Sequence, residues 1–308
     1  MSTVKIFAGS ASQSLGEKIA QSYGVKTGEL SLVRFSDGEL SPSFDESVRG
    51  CDVFIIQSTY PPAEHILELL LMIDAARRAS AKQVTVIVPY FGYARQDRKD
   101  KPRVSIAAKL NANLLSAAGA DRLMTIDLHA GQIQGFFDFP VDHLYGSAIF
   151  VPYLRQLQLG NLVFAAPDVG GVGRARAFAK YFNAELVVCD KHRKRANEVA
   201  SMQVIGNVED ADVVLVDDLV DTAGTICKAT QVIKEKGARS VRAMITHGVL
   251  SGNALENIGN SMLEEIVITD TIPLKTPHEK IHVLTVANLF ANAIKEIRTQ
   301  GSVSSLFI

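Results

Sequence analysis

One stretch of sequence decides the fold: Val213-Val214-Leu215-Val216-Asp217-Asp218-Leu219-Val220-Asp221-Thr222-Ala223-Gly224-Thr225. Its first four residues are apolar, which predicts a strand that is buried on both faces, as strands are in a parallel sheet. A tight turn from Asp221 to Thr225 then opens a helix. Because a strand that passes through a short loop into a helix is the repeating unit of α/β proteins, the stretch places the chain in that class.

The loop from Asp221 to Thr225 suits a phosphate group. Its successive backbone N–H groups and the hydroxyls of Thr222 and Thr225 can surround an anion, which the helix dipole also favours. Gly224 allows the backbone to approach the ligand closely. The alternative is a simple helix start after a strand, with Asp221 as its N-cap.

Asp217 and Asp218 argue for the binding loop over the simple cap. They are expected at the carboxyl end of the strand, where open α/β sheets place their ligands. Carboxylates at that place can hold sugar hydroxyls or a hydrated metal ion.

The same alternation of short β-branched runs and helical stretches continues along the whole chain, which predicts parallel sheets covered by helices. The predicted strands are Val4 to Ala8, Leu30 to Arg34, Val53 to Gln57, Val84 to Pro89, Leu123 to Asp127, Leu162 to Ala166, Glu185 to Cys189, Val213 to Val216, Val241 to His247 and Ile266 to Thr269. The predicted helices are Ser12 to Tyr23, Ala63 to Ser80, Ile106 to Ala117, Val172 to Phe182, Thr225 to Glu235 and Val286 to Thr299.

A chain of 308 residues exceeds what one hydrophobic core usually organises. We expect two domains, residues 1–148 and 149–308, with the boundary near Gly146 to Pro152 and with the last helix and tail packing back on the first domain. Each domain then has its own set of strands.

The composition is that of an ordinary globular protein, with 47% apolar and 21% charged residues. A formal charge of −1 argues against nucleic acid or an anionic membrane as a partner, and no stretch is apolar enough to span a membrane. Cys51, Cys189 and Cys227 have neither metal-type nor redox-type spacing, so we expect reduced thiols and a cytoplasmic protein.

Five further segments carry chemistry: Phe35-Ser36-Asp37-Gly38-Glu39, Tyr93-Ala94-Arg95-Gln96-Asp97-Arg98-Lys99, Asp127-Leu128-His129-Ala130, Pro167-Asp168-Val169-Gly170-Gly171 and Asp190-Lys191-His192-Arg193. The stretch ending at Thr225 looks like the 5-phosphoribosyl-1-diphosphate motif of the type I phosphoribosyltransferase fold. In order and spacing, the full set resembles ribose-phosphate diphosphokinase, also called phosphoribosyl diphosphate synthetase. The resemblance implies two similar phosphoribosyltransferase-type domains and transfer of diphosphate from ATP to ribose 5-phosphate.

Two of these segments are the ATP site by resemblance. Phe35 can stack on a purine, and the segment Asp37-Gly38-Glu39 offers acceptors for an exocyclic amine, although by residues alone an Asp-Gly turn is the simpler interpretation. Arg95, Gln96 and Lys99 match the family's phosphate-binding or adenine-binding residues, whereas a basic loop taken alone is more often solvated surface. In this family the adenine site is completed across a subunit contact, so the resemblance also implies a homo-oligomer.

The resemblance assigns His129 and Asp168 as Mg²⁺ ligands between the domains. Each is expected at the end of a strand. A lone His at a strand end is more often structural, and Mg²⁺ prefers oxygen ligands, so the assignment depends on the matching family segments.

Lys191 and Arg193 are, by resemblance, the catalytic cations of a mobile loop that closes over the transferred diphosphate. Nucleic-acid binding is the generic alternative for the basic run from Lys191 to Arg195, but one short run in a near-neutral chain is weak evidence for it. His192 and Lys194 stand where the family commonly has Arg and Pro. These differences are expected to affect the stiffness of the loop and its rate of closure, and not the roles of Lys191 and Arg193.

The remaining assignments also follow from the resemblance. The ribose 5-phosphate site comprises Asp217, Asp218, Asp221, Thr222, Ala223, Gly224 and Thr225. The regulatory site for inorganic phosphate and ADP in the hexameric, phosphate-activated class comprises Ser47, Arg49, Ser80, Ser302 and Ser304.

Two other classes of protein share parts of this pattern. A catalytically silent regulatory homologue would lack loop cations or metal ligands, which are all present here. A phosphoribosyl-binding transferase or transcriptional regulator would keep the loop at Asp221 without the Phe35 segment or His129, and a regulator would need a DNA-reading module.

Overall fold

The structure, a computed structural model, describes residues 2–192 and 201–307, without the side chains of residues 191, 192 and 201. The chain forms two compact units. The first contains the residues up to Tyr145 together with Thr271–Pro273 and Thr285–Phe307, and the second contains Gly146–Asp270 and Leu274–Leu284.

The first unit is built on a parallel sheet of five strands in the order β1-β4-β5-β6-β7, with a separate antiparallel hairpin of β2 and β3. Its elements up to residue 145 are β1 (Val4–Ala8), α1 (Gln13–Tyr23), β2 (Leu30–Arg34), β3 (Leu40–Phe44), β4 (Asp52–Ile56), α2 (Glu64–Arg78), β5 (Gln83–Ile87), α3 (Ala107–Ala118), β6 (Arg122–Ile126) and β7 (Val141–Leu144).

The second unit is built on a sheet of seven strands in the order β10-β9-β8-β11-β12-β13-β14, in which only the pairing of β9 with β10 is antiparallel. Its elements are α4 (Ser147–Gln156), β8 (Leu162–Ala166), α5 (Val172–Phe182), β9 (Glu185–His192), β10 (Ser201–Ile205), β11 (Asp212–Val220), α6 (Gly224–Glu235), β12 (Ser240–Gly248), α7 (Ala254–Gly259), β13 (Glu265–Thr269) and β14 (Ile281–Leu284). Helix α8 (Ala287–Thr299) follows in the chain and belongs to the first unit.

Strand β11 shows why the central strands are recognisable from sequence. Val213 and Leu215 pack into the core on one face of the sheet, whereas Val214 and Val216 pack into the core on the other. A strand covered on both faces needs apolar residues at every position, so the predicted α/β class with mostly parallel sheets is confirmed.

Two strand predictions need correction. Leu30–Arg34 is a strand, but it pairs with β3 in the antiparallel hairpin and not in the parallel sheet, and its residues after Leu30 are exposed. Strand β11 continues through Asp217 and Asp218 to Val220, since its pairing with β12 extends that far. The carboxylates therefore lie within the last part of the strand.

Several short elements were not predicted, namely β3, β7, β10, β14, α4 and α7. Strand β14, for example, has two exposed residues in four and carries little apolar pattern. Such elements form because a neighbouring strand pairs with them or a neighbouring element packs against them.

The C-terminal segment ends in the first unit. Helix α8 packs on α1, and Arg298 forms an ion pair with the buried carboxylate of Asp52 while donating to the carbonyl of Ser2 at 2.7 Å. The predicted second domain includes residues 285–308 but has its last helix and tail packing back on the first domain, and the structure assigns Thr285–Phe307 to the first unit.

Within residues 2–192 and 201–307, no helix combines the length and apolar character needed to cross a bilayer.

Candidate active site

A polar cavity of about 400 Å³ lies in the first unit, next to the loop that connects β5 to α3. It is lined by Arg95, Gln96, Asp97, Arg98, Asp100, Lys101, Val104, Ser105 and His129. The cavity therefore brings the predicted residues Arg95, Gln96 and His129 together, and adds Arg98 and Lys101. Lys99 is exposed on the same loop but is not part of this lining.

The cavity loop is held close to the end of β4. The Gly92 N–H donates to Thr59 Oγ1 at 2.8 Å, and a Cβ at position 92 would lie 2.0 Å from the Thr59 carbonyl oxygen. Only glycine permits this approach. Further along, Asp97 accepts a hydrogen bond of 2.9 Å from Gln132 Nε2, which ties the loop to the turn that follows His129.

His129 follows the end of β6 and is exposed toward the cavity. The backbone before it is fixed, since the Leu128 N–H donates to Nε2 of the buried His143 at 2.9 Å and Asp127 adopts a φ of 41°. His143 lies on β7. Sequence reasoning missed this residue because nothing in the local pattern shows which strand lies beside β6.

The Phe35 to Glu39 segment forms the turn of the β2–β3 hairpin. The Phe35 N–H donates to the Glu39 carbonyl at 2.9 Å, Asp37 Oδ1 accepts from the Glu39 N–H at 3.1 Å, and Gly38 has a φ of 99°. The Asp-Gly turn is therefore present. Phe35 is 52% exposed, and these residues do not line the cavity at Arg95, so their role at adenine stays a prediction.

The loop Asp221 to Thr225 lies between β11 and α6 in the second unit. Helix α6 begins at Gly224 with Ala223 as its N-cap, whose side chain makes no capping hydrogen bond. The alternative with Asp221 as the N-cap residue is therefore wrong, because Ala223 occupies that position. The Asp221 carboxylate accepts a hydrogen bond from Ser251 Oγ. Thr222 and Gly224 are exposed, whereas Ala223 is buried.

Arg174 on α5 lies between the two carboxylates of β11. Its Nη1 is 3.5 Å from Asp217 Oδ1 and 3.2 Å from Asp218 Oδ1. Burial raises the pKa of Asp217 well above its usual range, the neighbouring Asp218 carboxylate raises it further, and Arg174 acts in the opposite direction. The sequence signal for Arg174 was weak, since α5 also contains Arg176 and basic residues are ordinary on an amphipathic helix.

Asp168 lies at the end of β8, as predicted, and its Oδ1 accepts from the Gly171 N–H at 3.2 Å. This bond starts the short turn that leads into α5 and so positions Arg174. Asp168 belongs to the second unit and His129 to the first. Within the described part of the chain, no three His, Cys, Asp or Glu side chains form a metal-binding cluster.

Lys191 lies in β9, where its backbone is opposite Met202 of β10. We expected the preceding strand to end at Cys189, but antiparallel pairing extends it to His192. Arg193, the second predicted catalytic cation, lies outside the described residues, as does Lys194.

The predicted regulatory residues fall into two groups in the first unit. Ser47, Arg49 and Ser80 are exposed, and the Gly50 N–H next to Arg49 donates to the Ser80 carbonyl at 2.9 Å. Ser302 and Ser304 lie in the C-terminal tail, where the Ser302 carbonyl accepts from Ser305 Oγ at 2.6 Å. The Gly50 bond thus holds the backbone next to Arg49 against Ser80, whereas the Ser302 carbonyl is bonded within the tail.

Comparison with known proteins identifies the family. Residues 4–119 match the N-terminal domain of ribose phosphate pyrophosphokinase, and residues 182–308 match the phosphoribosyl synthetase-associated domain. A ribose-phosphate pyrophosphokinase of Porphyromonas gingivalis is 54% identical over 98% of this chain and 97% of its own. The chain belongs to the ribose-phosphate pyrophosphokinase family.

Further relatives agree with this assignment. The ribose-phosphate pyrophosphokinase of Campylobacter jejuni is 54% identical over 99% of both chains. The crystal structure of phosphoribosylpyrophosphate synthetase from Mycobacterium smegmatis is 38% identical, with a TM-score of 0.92 over 97% of this chain and 100% of that chain. The predicted resemblance is therefore confirmed, and neither a silent homologue nor a simple phosphoribosyl-binding protein is favoured.

Proposed function

We propose that this protein transfers the β,γ-diphosphate of ATP to the 1-hydroxyl of ribose 5-phosphate, which gives 5-phosphoribosyl 1-diphosphate and AMP. The observation that carries the proposal is that one chain has two suitable sites. One is a cavity at His129 whose lining includes Arg95, Arg98 and Lys101, and the other is a helix start with an alanine N-cap beside paired carboxylates. The first suits a nucleoside triphosphate and the second a pentose phosphate.

On the ATP side, Arg95 and Arg98 provide planar guanidinium groups for phosphate oxygens, and Lys101 adds a compact cation. Gln96 offers a neutral donor. Phe35, Asp37, Gly38 and Glu39 would bind adenine. Because their hairpin is exposed, we infer that it binds the adenine of an ATP molecule held in the cavity of a second subunit, in a homo-oligomer.

On the ribose 5-phosphate side, the phosphate would accept hydrogen bonds from the loop Asp221 to Thr225 and from the hydroxyls of Thr222 and Thr225. Asp217 and Asp218 would hold the sugar hydroxyls. Arg174 contacts both carboxylates and offsets part of the repulsion between them.

His129 and Asp168 are the proposed Mg²⁺ ligands, one in each unit. Their donor chemistry fits the ion only in part, since Mg²⁺ prefers oxygen, and we infer that phosphate oxygens and water supply the other positions. The His129 ring lies in the cavity wall among cations, and Asp168 uses one carboxylate oxygen for the Gly171 N–H. When bound, the ion would neutralise and orient the diphosphate.

The reaction is an in-line displacement. The anomeric oxygen of ribose 5-phosphate forms a bond to the β-phosphorus, the bond from that phosphorus to the bridging oxygen of AMP breaks, and the hydroxyl proton is released. No covalent intermediate with the protein is required, so catalysis depends on positioning and on neutralising the charge of the phosphate oxygens. Lys191 and Arg193 would supply the cations that neutralise the charge of the phosphate oxygens.

The test is AMP release from ATP that depends on both ribose 5-phosphate and Mg²⁺. We expect Lys191→Ala to lower turnover on the order of a hundredfold or more while ATP binding stays nearly intact. The matched control is Lys82→Ala, an exposed lysine at the amino end of β5. Absence of ribose 5-phosphate-dependent AMP from the unmodified protein would overturn the function, and retained turnover in Lys191→Ala would remove that lysine from the mechanism.

We further propose a hexamer that is located in the cytoplasm, activated by inorganic phosphate and inhibited by ADP through Ser47, Arg49, Ser80, Ser302 and Ser304. The resemblance to the phosphate-activated class supports this. Initial rates should rise when phosphate is titrated into the assay. A flat response would reject the regulatory assignment and would leave the catalytic one in place.

A further inference from the structure

The loop Asp221 to Thr225 contains a strained backbone position and is supported by a neighbouring segment of the chain. Ala223 adopts a left-handed φ of 62°, which is costly for a residue with a Cβ, and as the N-cap residue of α6 its side chain makes no capping hydrogen bond. A Cβ at Gly224 would meet only Thr222 Oγ1, at 3.9 Å, so little packing from within the protein restrains that position. Contacts from outside the loop therefore matter for its conformation.

Those contacts come from the segment between β12 and the end of α7. The N–H groups of Val249 and Leu250 donate to the Val220 carbonyl at 2.9 and 3.1 Å. The Ser251 N–H donates to the Asp221 carbonyl at 3.0 Å, and Ser251 Oγ also donates to the Asp221 carboxylate.

The last contact of this series comes from a side chain on α7. Asn257 Nδ2 donates to the Thr222 carbonyl at 2.9 Å. Three successive carbonyl groups, those of residues 220, 221 and 222, thus all accept hydrogen bonds from the same segment.

These hydrogen bonds to the carbonyl groups also fix the direction of the backbone N–H groups in the loop. In a trans peptide the C=O and the N–H of the following residue point in opposite directions. When the carbonyls of Asp221 and Thr222 point toward α7, the N–H groups of Thr222 and Ala223 point away from it. These are the donors that the proposed phosphate site requires.

Helix α7 is itself anchored, so it can serve as a fixed support. Its Asn257 carbonyl accepts from Cys227 Sγ at 3.4 Å, and Lys280 Nζ donates to the carbonyls of Gly259 and Ser261 at 3.1 and 2.8 Å.

We propose that Ser251 and Asn257 are positioning residues for the ribose 5-phosphate loop: they orient its backbone donors without touching the substrate. The inference rests on the proposed function, and it names the residues that make the loop competent to bind a sugar phosphate.

The test is the affinity for ribose 5-phosphate in single variants. Asn257→Ala and Ser251→Ala should each raise the KM for ribose 5-phosphate about three- to tenfold, the effect of losing one hydrogen bond, while the KM for ATP stays unchanged. Ser251→Thr keeps the hydroxyl and should stay within about twofold of the unmodified protein. Asn260→Ala, an exposed asparagine at the end of the same helix, is the matched control.

A merely structural role would lower the melting temperature and weaken ATP and ribose 5-phosphate together, which would overturn the inference. An unchanged KM for ribose 5-phosphate in both alanine variants would also overturn it. If the unmodified protein releases no AMP, the proposed function fails. Calorimetric binding of ribose 5-phosphate to the unmodified protein and to Asn257→Ala then tests the positioning role alone, and equal or absent binding in both refutes it.

Discussion

Asp212, the first residue of β11, shows how one buried carboxylate joins the starts of the two neighbouring strands, β8 and β12. It accepts hydrogen bonds from the Arg239 guanidinium, from Ser240 Oγ at 2.6 Å and from the Gly160 N–H at 3.1 Å. The bond from Arg239 is the largest cause of a pKa held far below the usual range for this carboxyl, and burial opposes it in part.

We predict that Asp212→Asn destabilises the protein by about 2 kcal/mol at pH 7, because hydrogen bonds to a charged acceptor are lost. The folded-state pKa lies below the unfolded value of about 3.9, so this stabilisation is present above that pH and is lost as the pH falls toward the folded pKa. The difference between the two proteins should therefore shrink below about pH 4.

Urea unfolding at pH 7, 4 and 3 measures this difference, with Asp138→Asn at an exposed position as the control. A difference that is independent of pH would contradict the role of the Asp212 charge.

At the scale of elements, α8 behaves as part of the first unit although it is C-terminal. Its apolar face is fully buried at Phe290 and Ile294, and it packs on α1 near the start of the chain. Elements far apart in sequence can stabilise each other because the hydrophobic effect depends on buried area and not on chain order.

Phe290→Ala should cost about 3–5 kcal/mol, since it leaves a cavity in this packing. Hydrogen exchange is the measurement: amides of α1 and β1 should lose protection, whereas those of β11 should keep it. The control is Asn292→Ala, which lies on the exposed face of the same helix. Loss of protection confined to the second unit would show that α8 does not stabilise the first.

At the scale of the whole molecule, the β2–β3 hairpin leaves apolar surface uncovered. Val33 is 50% exposed and Phe35 is 52% exposed. Exposed apolar residues that lie close together on one hairpin are typical of an interaction surface. With the exposed turn at Asp37, they support the proposal that a second copy of the chain covers the hairpin.

Val33→Asp should therefore shift the protein toward smaller species in sedimentation velocity, because a charge at an apolar contact opposes association. It should also weaken ATP binding if the hairpin serves the cavity of another subunit. The control is Val25→Asp, another exposed valine of the first unit. An unchanged sedimentation coefficient would remove the hairpin from the assembly.

The sequence by itself determined the α/β class, the central strands and the loop at Asp221. These features depend on the local sequence. A strand buried on both faces needs uninterrupted apolar residues, and a turn into a helix needs small and polar ones. The family's activity also followed, since its motifs occur in order along the chain.

Only the tertiary structure decided which distant residues support those motifs. Arg174 faces the carboxylates of β11, His143 fixes the backbone before His129, and Asn257 holds the Thr222 carbonyl. Each is separated in sequence from the group that it contacts and carries no local signal of its own. Hydrogen bonds and ion pairs form between neighbours in space, and packing of the sheets and helices decides which residues become neighbours.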